Sequence, residues 1–225
     1  MKFEPVSVEN LPPGKPNPAW HLAKTVRYWP AKDHPGATID LYMEDSWNVH
    51  AFLQSKAGYL NLGEVGLASP DVKVTATNWE RDGVQLGRNI ITIEGSIGAD
   101  CAVLVILGFD PLDRQWKLLA HIEGTDIERT NLEPRGPDVI VSMFGRVDAT
   151  LYRWKGSQFE EVDLGKAVTR NFGRPFYVDG GSIVDARTFR CGPIVKGGLS
   201  KPTKFYGYND AALIEVKPKN KSKAR

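Results

Sequence analysis

The side chains of this chain that could ligate a metal, carry a proton, attack a substrate or stack on a ligand are few. Its histidines are His21, His34, His50 and His121. None stands in HxH, HxxxH or HExxH, the spacings that turn two imidazoles toward one metal. His50 (in WNVHAF) and His121 (in LAHIEG) fall inside alternating apolar stretches and read as strand residues. Cys101, in the apolar run CAVLVIL, reads as a buried thiol. With Cys191 as the only other cysteine there is no CxxC, so no zinc site built on cysteines is expected. Whether the two cysteines pair is left open by the sequence. Three serines sit in GGSI (180–183), EGSIG (94–98) and KGSQ (155–158). None lies between a buried strand and a helix, where a nucleophilic serine is held on a strained turn, so all three read as turns. GKPNP and VKGGLSKP lack the spacing of a phosphate-binding loop.

Carboxylates and tryptophans are the better candidates. Asp40, Glu44, Asp45, Asp100, Glu123, Asp126, Asp138, Asp148 and Asp185 are the acids near strand-like runs. Asp40, Asp100, Asp138 and Asp185 stand at or near the start of comparable runs: ATIDLYM (37–43), DCAVLVI (100–106), PDVIVSM (137–143) and GSIVDAR (181–187). Two such acids about 5 to 10 Å apart across a cleft would suit glycoside chemistry. Acids at strand starts more commonly accept backbone N–H bonds in turns, and that reading is preferred, so no catalytic residue is assigned. Trp47 (EDSWNVH) and Trp79 (ATNWERDG) lie in acidic, turn-like segments where an exposed indole could stack on a sugar or a protein partner. The candidate binding residues are therefore Trp47, Trp79, Asp100, Asp138 and Asp185.

The elements that must position these residues are β-hairpins. One pattern recurs: aromatic, x, aromatic, then large residues seven and ten positions after the first. Tyr152, Trp154, Phe159 and Val162 fill it, and Tyr206, Tyr208, Leu213 and Val216 fill it again. Phe52, Gln54, Tyr59 and Leu62 make a looser copy. Leu107, Phe109, Trp116 and Leu119 make a fourth, with two residues inserted at DPLDRQ. Alternate strand residues share a face, and KGSQ and NDAA supply turns between two strands. The copies start at 52, 107, 152 and 206, each taken to follow its own β-rich run. Such a period is that of a four-stranded propeller blade. The sequence therefore predicts an all-β fold, a small or partial β-propeller of about four repeats, with a β-sandwich as the alternative. No segment beyond residue 35 sustains helical periodicity over ~11 residues. AWHLAKTVRYW (19–29) reads as a short helix or a strand pair, its aromatics as a packing edge.

Three parts are expected: a Pro-rich flexible lead-in (1–18, containing LPPGKPNP), a single domain (19–217) and a basic tail (218–225). Net charge is +2, with much of the positive charge in the closing KPKNKSKAR, so no basic field argues for nucleic acid. No apolar run approaches the ~18 to 20 residues of a membrane span. The first residues hold no apolar export core, which leaves two compartments open: the cytoplasm, or the cell envelope if an export signal has been removed.

At PDVIVSMFGRVDATLYRWKGSQFEEVDL the chain resembles a blade of the FG-GAP/VCBS type found in bacterial secreted proteins and lipoproteins. The matching residues are Asp138-Val139-Ile140-Val141, Tyr152-Arg153-Trp154-Lys155-Gly156 and Phe159. The resemblance implies a propeller and a calcium loop of the DxDGDG kind before the first strand. That loop reads TDIERTNLEPRGP here, with Arg129, Asn131 and Arg135 among its residues. Thr125, Asp126, Glu128 and Asn131 fall short of the six or more oxygens calcium takes, so neither calcium nor any other cofactor is expected. The function implied is a non-catalytic binding module of the bacterial cell envelope, its partner a protein or an envelope polymer. The alternatives are a carbohydrate-active enzyme using paired strand-start acids and an intracellular assembly scaffold. Open sheet edges would allow a homo-oligomer.

Overall fold

The computed structural model describes residues 2–28, 36–81, 84–130, 139–145, 148–173, 176–179, 188–196, 198–199, 204–209 and 212–215. The strands, in chain order, are β1 (Glu4–Pro5), β2 (Glu9–Asn10), β3 (His21–Tyr28), β4 (Ala37–Met43), β5 (Val49–Ser55), β6 (Gly58–Gly66), β7 (Lys73–Arg81), β8 (Val84–Ser96), β9 (Ala102–Asp110), β10 (Gln115–Gly124), β11 (Asp126–Thr130), β12 (Val139–Phe144), β13 (Asp148–Lys155), β14 (Gln158–Asp163), β15 (Phe176–Asp179), β16 (Thr188–Val195), β17 (Gly198–Leu199), β18 (Lys204–Asn209) and β19 (Ala212–Glu215). One α-helix, α1 (Leu164–Phe172), lies among the described residues.

The fold is all-β and antiparallel. Four sheets repeat one plan, a meander of four strands laid side by side in chain order. The first is β3-β4-β5-β6, the second β7 to β10, the third β11 to β14, and the fourth β15-β16-β18-β19 with β17 on β16. None closes on itself. The four recurrent sequence stretches are the last hairpin of each sheet, in equivalent register: Gln54 faces Tyr59, Phe109 faces Trp116, Trp154 faces Phe159, and Tyr208 faces Leu213. The run preceding the second copy differs from expectation. DCAVLVI leads directly into β9, the first strand of its own hairpin, and the strand that precedes it in the sheet is β8.

Side-chain alternation decides the stacking. β4 sends Ile39 and Leu41 to one face and Asp40 and Tyr42 to the other. Ile39, Leu41, Leu53, Ile93, Val105 and Trp116 form a core between the first and second sheets. Ile90, Leu104, Ile106, Ile140, Trp154 and Phe159 form another between the second and third. A further core joins the third sheet to α1 and the fourth through Val141, Leu151, Leu164, Val168, Val178 and Cys191. The second sheet is thus covered on both faces, which is why AVLVIL reads as an unbroken apolar run. Trp116 and Trp154 each fill a seam between sheets.

Glycine permits the closest approach of two sheets. A Cβ on Gly95 of β8 would run into the Val65 carbonyl of β6, and one on Gly124 of β10 into Ser142 and the Met143 backbone of β12. Backbone cannot swing aside as a side-chain tip can. Gly95→Ala is therefore expected to cost about 2–3 kcal/mol by overpacking, read as a lowered urea midpoint at unchanged slope. A wild-type midpoint in that variant would mean the two strands are not in contact.

Several expectations are corrected. Residues 2–18, expected as a flexible lead-in, are tied to sheet edges. β1 pairs with β14, β2 with β10, and Pro13 bridges Leu60 of β6, so the segment runs as a belt along the outer edge strands of the third, second and first sheets in turn. The Val6 N–H donates to the Phe159 carbonyl at 2.8 Å, the Asn61 N–H to the Pro12 carbonyl at 2.9 Å, and Leu11 is buried in the first core. Proline, lacking an N–H, is tolerated at such an edge. Residues 21–28 form the edge strand β3. TDIER, expected to be the remnant of a calcium loop, is mostly strand β11. α1 was unforeseen: it is shorter than the periodicity window, yet Asp163 caps its N-terminus by accepting from the Lys166 N–H at 2.8 Å, and Gly173 ends it at φ 66°. Cys101 is partly exposed in the turn before β9, and no disulfide joins it to Cys191. The basic tail lies outside the described residues.

Candidate functional site

The outer face of the first sheet carries a polar and aromatic cluster. Asp40, in the middle of β4, is 1% exposed. Each strand of the sheet contributes to its carboxyl group. Thr25 of β3, directly opposite in register, donates to Oδ1 at 2.6 Å. Gln54 of β5 donates to Oδ2 at 2.7 Å, and the Tyr59 hydroxyl of β6 donates to the same oxygen at 3.0 Å. Diagonal and facing neighbours on a twisted sheet lie within this reach. Asp40 is therefore neither a strand-start acid nor a backbone acceptor, as the sequence suggested. It is the tie that joins four strands through side chains.

Aromatic rings pack over this tie. Phe52 meets Tyr42 at 5.7 Å and Tyr59 at 6.0 Å, both edge to face. Trp20 stacks on His50 at 4.2 Å and 14°, and His50 Nε2 lies 3.3 Å from Glu44. The belt completes the arrangement. From the β6 edge, where the Gly14 N–H donates to the Tyr59 carbonyl at 3.0 Å, residues 15–20 cross this face to reach β3 on the far edge. A turn fixes the crossing: the Trp20 N–H donates to the Asn17 carbonyl at 2.9 Å and the Ala19 N–H to Asn17 Oδ1 at 3.0 Å.

Between belt and sheet lies a cleft of about 480 Å³, lined by Lys15, Pro16, Asn17, Pro18, Trp20, Tyr42, Gly58 and Tyr59. That is within the ordinary size of small-ligand pockets. Proton directions in it are set from below. The Tyr59 hydrogen is spent on Asp40, so the 3.4 Å contact between the two phenols has Tyr42 donating to Tyr59. Tyr42 is left with acceptor capacity. The Tyr59 phenol is pushed above its usual range: burial, the hydrogen bond it donates to Asp40 and the Asp40 charge all favour its neutral form.

A second phenol, Tyr152, is pushed up to about 12, first by burial and then by the charge and hydrogen bond of Glu161 across the hairpin. Both groups keep their proton more firmly folded than unfolded. The Tyr152 contribution is complete below the ordinary tyrosine value of 10.0 and is lost as pH rises from there through about 12. Denaturation midpoints measured across that window are expected to fall, and Tyr152→Phe to flatten the fall. An equally steep fall in that variant would place its cause elsewhere.

Of the sequence-derived candidates, Trp47 and Asp100 can be placed, and they lie on different turns. Trp47 is 64% exposed on the β4–β5 turn, its backbone N–H donating to Asp45 Oδ1 at 2.8 Å, and does not line the cleft. Asp100 is exposed in the β8–β9 turn. The backbone of Trp79 lies in β7, its side chain outside the description, and Asp138 and Asp185 lie outside the described residues altogether. Among the described residues no three His, Cys, Asp or Glu side chains gather as metal ligands, and no helix is long and apolar enough to cross a membrane. The residues that do gather, Trp20, Tyr42 and Tyr59 above Asp40, had a signal: Thr38, Asp40 and Tyr42 share the β4 face opposite Ile39 and Leu41. Compared with known proteins, the chain matches no family model, no curated protein and no solved structure.

Proposed function

We propose that the chain is a non-catalytic binding module on a small four-bladed propeller-like frame, with the cleft under residues 15–20 as its ligand site and an envelope polymer as its partner. Four like meanders stacked face to face support the propeller reading over a two-layer sandwich, in which the second sheet would bury only one face. The envelope setting rests on the sequence resemblance.

The observation that carries the functional reading is the cleft itself. One of its aromatic walls, Tyr59, is held by a carboxyl group whose two oxygens are both engaged by structural donors. A group so engaged positions rings and is not poised to attack. The test is co-sedimentation of the purified chain with washed, insoluble cell-envelope polymer, with soluble fragments assayed in parallel. Retention in the pellet, lost in Trp20→Ala, and no release of fragments is the expected result. Release of reducing ends would replace the binding reading with the enzymatic one.

A further inference from the structure

We infer that the ligand of this cleft is a saccharide unit, recognised by stacking on the aromatic walls and by a hydroxyl that donates to Tyr42. This deepens the binding reading and rests on it. The cleft's hydrogen-bonding capacity is lopsided. Both phenol hydrogens point inward, Tyr59 to Asp40 and Tyr42 to Tyr59, so Tyr42 meets a ligand as an acceptor. Asn17 Oδ1 is taken by the Ala19 N–H, which leaves its amide to donate, and Lys15 is a donor by nature. A ligand must donate at one wall and accept at the other. A sugar ring does both through its hydroxyls while its C–H face lies on an aromatic ring.

A proline-rich peptide is the natural competitor, because aromatic grooves commonly bind one. Proline offers carbonyl acceptors, which Lys15 and the Asn17 amide can meet, but no N–H, so a run of prolines would leave Tyr42 without a donor. Leaving a site's polar group unpaired is what lets it reject the wrong ligand. The cleft is also largely preformed, since the turn at Asn17–Trp20 and the Asp40 tie fix both walls before any ligand arrives.

The experiment is calorimetric titration of the full chain with soluble dextran, xylan and alginate and, separately, with a synthetic proline-rich peptide. Wild type is compared with Trp20→Ala and with Tyr42→Phe, which keeps the ring and removes only the oxygen. Thermal melting checks that each variant folds. Saturable binding to at least one polysaccharide, weakened about tenfold or more in both folded variants, is the expected result. Binding of the peptide alone, or of a polysaccharide with Tyr42→Phe unaffected, overturns the saccharide inference and leaves the binding module standing. Binding of none of these probes, together with failure to sediment with envelope polymer, overturns both. If Tyr42→Phe proves unstable, Lys15→Ala, an exposed position, takes its place, with weakened polysaccharide binding expected and unchanged binding counting against the inference.

Discussion

Asp40→Ala should lower the stability of the chain by about 3–5 kcal/mol, the range of a buried polar hub removed from among its partners. Hydrogen bonds to a charged acceptor contribute more than neutral ones, and three meet here. The loss is not one of area, because alanine leaves only a small void. It comes from donors that lose their acceptor. Thr25 and Gln54 reach toward solvent and can recover part of the cost from water, whereas the Tyr59 ring is packed edge to face on Tyr42 and Phe52 and is less free to turn its hydroxyl to a new partner. Asp40→Asn keeps one acceptor and the shape, and should cost about half as much. A urea titration at constant slope reads both. A double-mutant cycle between Asp40→Ala and Tyr59→Phe should show coupling of about 1–3 kcal/mol. An Asp40→Ala midpoint within about 1 kcal/mol of wild type would mean that water reaches the carboxyl group and that the tie is not made. The same variant should lose polysaccharide binding at temperatures where it is still folded, since the proton direction of Tyr42 depends on Tyr59 and that of Tyr59 on Asp40.

How much of this was legible in the sequence follows from which forces are local. A hairpin is local: strand alternation and a turn suffice to specify it, and the spacing Tyr152, Trp154, Phe159, Val162 found all four closing hairpins. The stacking of sheets left a weaker mark, in runs such as AVLVIL that lack alternation because both faces are covered. The site is not local. Thr25, Asp40, Gln54 and Tyr59 come from four strands, and only the register brings them to one carboxyl group. Nothing in ATIDLYM distinguishes an acid at a strand edge from one tied by side chains. The belt was misread for a similar reason. LPPGKPNP has the composition of a linker, and composition records neither the edges it lies against nor the burial of Leu11. Trp20, read as a packing edge, packs on His50 and also walls the cleft.

Deleting residues 2–11 should have the largest effect of all, and of a different kind. Those residues add edge pairing to β14 and β10, seat Phe3 under the Arg153 guanidinium at 3.6 Å, and bury Leu11. Leu11→Ala alone is expected to cost about 2–4 kcal/mol through the cavity it leaves, with the chain remaining in its normal association state. The deletion removes that side chain and also uncovers the hydrogen-bonding edges of two sheets, which then present unpaired N–H and C=O groups to any passing strand. The expected outcome is therefore a lower melting temperature together with association that grows with protein concentration, followed by light scattering on a size-exclusion column. The two variants separate two roles of the belt. Association in both would trace to general unfolding. Association in the deletion alone would assign edge protection to the backbone of residues 4–10 and confine self-pairing of the intact chain to edges the belt does not cover, such as β3. A truncated chain that melts like wild type and stays in its normal association state would reduce residues 2–11 to a passenger, and would leave the cleft wall at residues 15–20 resting on its own ties, the Pro13–Leu60 bridge and the Gly14 and Asn17 hydrogen bonds.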